Sequence, residues 1–155
     1  MSRWLRPAVV VAVLALAALA CEGGSVLNQS LSCGPGQCEG SVDRLTGSYT
    51  IEIIDPRIFP SDAVQVTIEL TSSTGRVEAT LTGPDGTTAS GVASPGAPAV
   101  VSGLATGEWI SLDSASGFDE DEAGFSGQEG GFKFVLTALD ESAEDITYRV
   151  SYSLP

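Results

Sequence analysis

The chain has 155 residues, with seven basic side chains against twenty acidic ones, no histidine, and a formal charge of −13. A surface this acidic repels the phosphates of nucleic acid and gains nothing from anionic lipid headgroups. Without histidine, Ser-His-Asp and Cys-His machinery and the usual zinc hydrolase sites are excluded as well.

Arg3 and Arg6 open the chain, and "PAVVVAVLALAALA", Pro7 to Ala20, follows without a charge. A membrane-crossing helix needs about 20 apolar residues, so this run is too short. Its small residues at the end fit a signal peptide, and "ALA" satisfies an ordinary secretory site. The stretch "AALAC", Ala17 to Cys21, also resembles the lipobox of a bacterial lipoprotein signal. The resemblance implies loss of residues 1–20, a diacylglyceryl thioether on Cys21, and usually a further acyl chain, such as palmitate, on its amine. At about 0.8 kcal/mol per buried methylene, two or three such chains anchor a protein permanently. Glu22 after the cysteine, where Asp would retain the protein, implies the outer membrane if the cell is Gram-negative. Loss of Arg3 and Arg6 leaves five basic residues against twenty acidic, a charge of −15.

Residues 21–46 show neither helical nor strand periodicity and are rich in Gly and Ser, which predicts a flexible lipidated tether. Within it, "SCGPGQC" holds Cys33 and Cys38. Outside the cytoplasm such a pair oxidises, and a loop this small contributes roughly 2 kcal/mol. Redox exchange prefers C-x-x-C. Zinc binding lacks ligands to complete a site.

From residue 47 the period becomes two. "SYTIEII" aligns Tyr49, Ile51 and Ile53, and "AVQVTIEL" aligns Val64, Val66, Ile68 and Leu70. "RVEATLT" aligns Val77, Ala79 and Leu81 before a "GPDG" turn. "TTASGV" and "AVVSGL" are weaker, and "EWISLD" follows them. "FKFVLTAL" aligns Phe132, Phe134, Leu136 and Ala138. "ITYRVSYSL" aligns Ile146, Tyr148, Val150, Tyr152 and Leu154. These make about eight short strands with no amphipathic helix. Alternation of this kind buries one face of an antiparallel sheet, and two such sheets stack as a β-sandwich. Residues 47–155 are therefore expected to form an all-β, jelly-roll-like antiparallel sandwich. "VEATLTGPDGTT", "SGLATGEWISLDSA" and "EDITYRVSYSL" together resemble the bacterial pre-peptidase C-terminal domain, which implies an accessory binding role and not catalysis.

Two features are candidates for binding. Between Gly117 and Phe132 stand four consecutive acids, Asp119 to Glu122, among glycines. Asp119, Asp121 and Glu122 are the candidate calcium ligands, since calcium takes six to eight oxygens. Adjacent acids lack the spaced pattern of an EF-hand, and a solvated loop is the plainer reading. Trp109 is the only tryptophan after processing. Alternation in "EWISLD" separates it from Ile110 and Leu112 and sets it on a wet face, where it would serve a sugar or partner chain. The common environment of a lone tryptophan is the core, and that is the expectation taken here.

No nucleophile-base pair, P-loop or dinucleotide fingerprint occurs, and the only lysine, Lys133, alternates outward in a strand. The sequence thus describes a non-enzymatic, membrane-anchored envelope lipoprotein needing no cofactor. Its sandwich binds or scaffolds an envelope protein or polysaccharide, with no nucleic-acid partner. A calcium-dependent carbohydrate-binding or adhesin-like module is the alternative.

Overall fold

A computed structural model describes residues 24–112 and 127–154. The signal segment 1–20, Cys21, and the acids Asp119, Asp121 and Glu122 lie outside the described residues. Among those described, no helix is long and apolar enough to cross a membrane.

Ten strands run in chain order: β1 Ser25–Gly34, β2 Gln37–Thr46, β3 Ser48–Ile54, β4 Ala63–Thr71, β5 Val77–Thr82, β6 Thr88–Ala93, β7 Ala99–Thr106, β8 Glu108–Ser111, β9 Gln128–Ala138 and β10 Ala143–Ser153. One sheet has the order β1-β2-β10-β4-β7. The other has the order β3-β9-β5-β6, with β8 also paired to β9. Every pairing is antiparallel. The fold is an antiparallel, jelly-roll-like β-sandwich.

The core follows from the alternation. Val64, Val66, Ile68 and Leu70 of β4 meet Ile51, Ile53, Phe132, Phe134 and Leu136 of the facing sheet, all buried. Phe132 packs edge-on against Tyr152, and Phe134 against Tyr148. At the closed side of the sandwich, β6 approaches β7. Gly91 and Gly103 stand there because a Cβ would lie 2.8 Å from Val101 Cγ2 or 2.6 Å from Ala89 Cβ.

The tether expected over residues 21–46 is corrected from residue 25 onward. Residues 25–46 form a hairpin, and β2 is an interior strand between β1 and β10. Cys38, Val42 and Leu45 are buried in the core. The three-residue step from Val42 to Leu45 hides the period of two. It coincides with a kink shared across strands, where Asn28 and Asp145 take positive φ values of 46° and 49° on either side of Asp43. Asn28 Nδ2 donates to Asp43 Oδ2 at 2.8 Å there. Cys33 and Cys38 are bonded and stand opposite each other in the hairpin register, so the disulfide closes the β1–β2 turn.

Tyr148 lies over Gly40, and its buried hydroxyl has no hydrogen-bond partner among the described residues. Burial pushes its pKa up to about 12, the neighbouring Tyr49 adds to the rise, and the Gln29 side chain, already bonded to Tyr49, opposes it without reaching the hydroxyl in hydrogen-bond geometry. An unsatisfied buried hydroxyl costs about 1–3 kcal/mol. Tyr148→Phe is therefore expected to leave thermal stability unchanged or raise it by about 1 kcal/mol. A drop in melting temperature would show that the hydroxyl is satisfied in solution.

Candidate functional site

An open groove of about 620 Å³ crosses the outer face of the β1-β2-β10-β4-β7 sheet. Side chains at odd positions of β4, and of β10 from Asp145 onward, point outward, and pairing aligns them with those of β2 and β7. One row across the strands reads Ser30, Ser41, Thr147, Thr71. The next reads Ser32, Glu39, Arg149, Glu69, Val100. All but Ser32 line the groove, joined on one flank by Pro98 and Ala99.

Arg149 holds the middle of the site. Its Nε donates to Glu39 Oε1 at 2.8 Å, and its Nη1 lies 4.0 Å from Glu69 Oε2. All three side chains are more than half exposed, so the row contributes little to stability, about 0–1 kcal/mol. Beside it the hydroxyls pair with each other. Ser30 and Ser41 Oγ are 2.7 Å apart, and Thr71 bonds Thr147. In such a pair one hydroxyl hydrogen and several lone pairs remain free. Val100, 67% exposed, ends the charged row with an apolar surface.

The groove adjoins the disulfide turn. A second recess of about 450 Å³ is lined by Ser32, Cys33, Gly34, Pro35, Gln37 and Glu39, and Glu39 borders both. The disulfide thus fixes one end of a binding-sized surface and carries no chemistry of its own.

Trp109 is 52% exposed, which overturns the expectation of a core position. It sits on the short strand β8, opposite Gly130, while Ile110 beside it is buried. A four-residue strand at the end of a sheet has too little covering structure to enclose an indole. Trp109 is not among the groove's lining residues. Phe59, 59% exposed, was not singled out by the sequence, because it falls in the loop 55–62, where no periodicity marks it. Both residues belong to the same end of the sandwich, since Ser61 donates to the carbonyl of Gly107, two residues before Trp109. Lys133 faces outward and pairs with Glu108 at 3.0 Å. Among the described residues, no group of three or more His, Cys, Asp or Glu side chains is arranged to hold a metal.

No family model matches the chain, and no curated protein matches it. Among solved structures, the chain is similar to the family 11 carbohydrate-binding module of the cellulosomal cellulase Lic26A-Cel5E of Clostridium thermocellum. Identity is 11%, coverage is 86% of this chain and 85% of that one, and the TM-score is 0.35. A family 11 module from Clostridium thermocellum in complex with a beta-1,3-1,4-mixed-linked tetrasaccharide gives 11% identity, 86% coverage of each chain and a TM-score of 0.37. Likeness this low places no ligand on the present chain.

Proposed function

We propose that this chain is a non-catalytic binding module, held at the cell envelope by a lipid on Cys21, whose sheet groove takes a neutral carbohydrate chain. The observation that carries the reading is the groove's outer row, in which Glu39, Arg149 and Glu69 stand between paired hydroxyls and the apolar Val100. Sugar hydroxyls need both acceptors and donors, which the carboxylates, guanidinium and Ser/Thr pairs supply. The C–H faces of a sugar ring need an apolar strip, which the exposed Pro98 and Val100 supply. A mature charge of −15 favours a neutral polymer over an anionic one.

The test is affinity electrophoresis of the wild type against a panel of neutral polysaccharides, followed by calorimetry on any that retard it. The double variant Glu39→Ala with Arg149→Ala is expected to bind at least about tenfold more weakly, since charged hydrogen bonds contribute about 1.5–3 kcal/mol each. Its melting temperature should stay close to that of the wild type, because both side chains are exposed. Retardation by no polysaccharide, or by the same one with equal strength in the variant, sinks the reading. The groove's donors and acceptors require no ion, so binding is expected to survive a calcium chelator. Loss of binding on chelation would instead favour a calcium-dependent module using Asp119, Asp121 and Glu122. Anchoring is checked separately: Cys21→Ser should leave the membrane fraction or remain unprocessed.

A further inference from the structure

The packed structure begins almost at the anchor. A Cβ on Gly24 would lie 2.1 Å from the Ser48 carbonyl oxygen and 2.6 Å from its amide nitrogen, and both are backbone atoms. The Cα of Gly24 in turn lies 2.9 Å from where a Cβ on Gly47 would stand. Only a glycine fits this crossing, and from Ser25 onward the chain is paired with β2. Just Glu22 and Gly23 separate Cys21 from the contact. Three peptide steps span at most about 11 Å.

We infer that the acylated protein has no slack between lipid and domain, so that one pole of the sandwich rests on the bilayer and the other is held outward. The inference rests on the reading of Cys21 as lipidated. The inner pole gathers what the topology brings to the Gly24 crossing: the Gly47 junction, Arg76 just before β5, and the β9–β10 turn with Leu139, 40% exposed. The outer pole carries the disulfide turn at the far end of β1, together with Phe59 and Trp109. Ten strand residues at about 3.4 Å each set the two poles roughly 30 Å apart. Charge does not produce the contact. Arg44 and Arg76 near the inner pole are ion-paired with Glu144 and Asp140, so a zwitterionic surface serves as well as an anionic one.

The consequence for function is an oriented display. The exposed aromatic pair meets whatever lies beyond the headgroups, and the groove runs up the side of the sandwich between the poles.

The protein purified with its lipid is placed in phosphatidylcholine vesicles bearing a headgroup nitroxide. Trp109, the only tryptophan left after processing, is expected to be quenched by aqueous acrylamide and untouched by the nitroxide. Leu139→Trp in a Trp109→Phe background is expected to lose at least half its emission to the nitroxide. A flexible Gly-Ser insert of about twelve residues between Gly23 and Gly24 should restore that emission. Equal nitroxide quenching at the two positions, or a tryptophan at position 139 that ignores the label at native spacing, overturns the inference. Mass spectrometry showing an unmodified Cys21 would instead overturn the anchoring reading, so the two failures are distinguishable.

Discussion

Gly130→Ala is expected to destabilise the domain by more than about 3 kcal/mol, the penalty of forcing atoms into a packed site that cannot yield. The added Cβ would stand 1.8 Å from the Ile58 carbonyl oxygen and 3.2 Å from that of Asp55. Both atoms are backbone, so no side-chain rotation relieves the overlap. The loop 55–58 must lift, which breaks the Asp55 amide bond to the Gly130 carbonyl at 2.9 Å and draws the fully buried Ile58 from the core. Thermal unfolding followed by circular dichroism should show a fall of more than about 8 °C. Gly34→Ala is the control, because nothing lies within 4 Å of its Cβ position, and a change under about 0.5 kcal/mol is expected. If the two variants melt together, the close approach at Gly130 does not exist in solution.

The second large effect is expected at Asp55 and depends on pH. Asp55 is 5% exposed, and its carboxylate accepts from Arg57 N and Nε at 3.0 Å, from Arg57 Nη2 at 2.7 Å and from Tyr152 Oη at 2.9 Å. The Arg57 side chain is the main cause that lowers its pKa from 3.8 to about 2, against the opposing effect of burial. A depressed carboxylate stabilises the fold while it is ionised. Its contribution, about 2 kcal/mol, is complete above the unfolded value near 4 and lost as pH falls through about 2. Asp55→Asn should therefore be less stable than the wild type by about 2 kcal/mol at pH 7, with the gap closing between about pH 4 and pH 2. Urea unfolding across that range measures it. A gap that stays constant with pH would mean the carboxylate's charge is not what ties the β3–β4 loop to β10.

Local pattern sufficed for the strands whose partners are ordinary. β4, β9 and β10 alternate because each has one face on the core, and their apolar residues are the buried ones. The hairpin β1–β2 was illegible for a specific reason. The inward positions of β2 are Cys38, Gly40, Val42 and Leu45, with a register slip at the shared kink, while β1 leaves Leu27 and Leu31 exposed, against the pattern. Such a strand reads as a linker until its neighbours are known. β6 and β7 looked weak because Gly91 and Gly103 occupy their inward positions, where close packing leaves no room for a side chain. At Trp109 the alternation pointed to solvent and the habit of tryptophan pointed to the core. The alternation was the better guide, because it reports on this strand and not on tryptophans in general. The groove lay beyond any reading of the sequence. Glu39, Glu69 and Arg149 come from three separate stretches, and only the pairing register sets them side by side.

The order of the sheet that holds β10 has a consequence for how the chain reaches its native state. β10, the last strand made, inserts between β2, near the front of the chain, and β4. β2 therefore cannot gain its second neighbour until the C-terminus has emerged, and the connection it must close spans about a hundred residues, an entropic cost that slows folding. Until then the first hairpin keeps Val42 and Leu45 uncovered, although both are buried once the sheet is complete. A polypeptide that stalls or is clipped before Ala143 does not merely lose an edge. It is left with two half-sheets, β1-β2 and β4-β7, that have no ladder between them and an apolar face open to proteolysis.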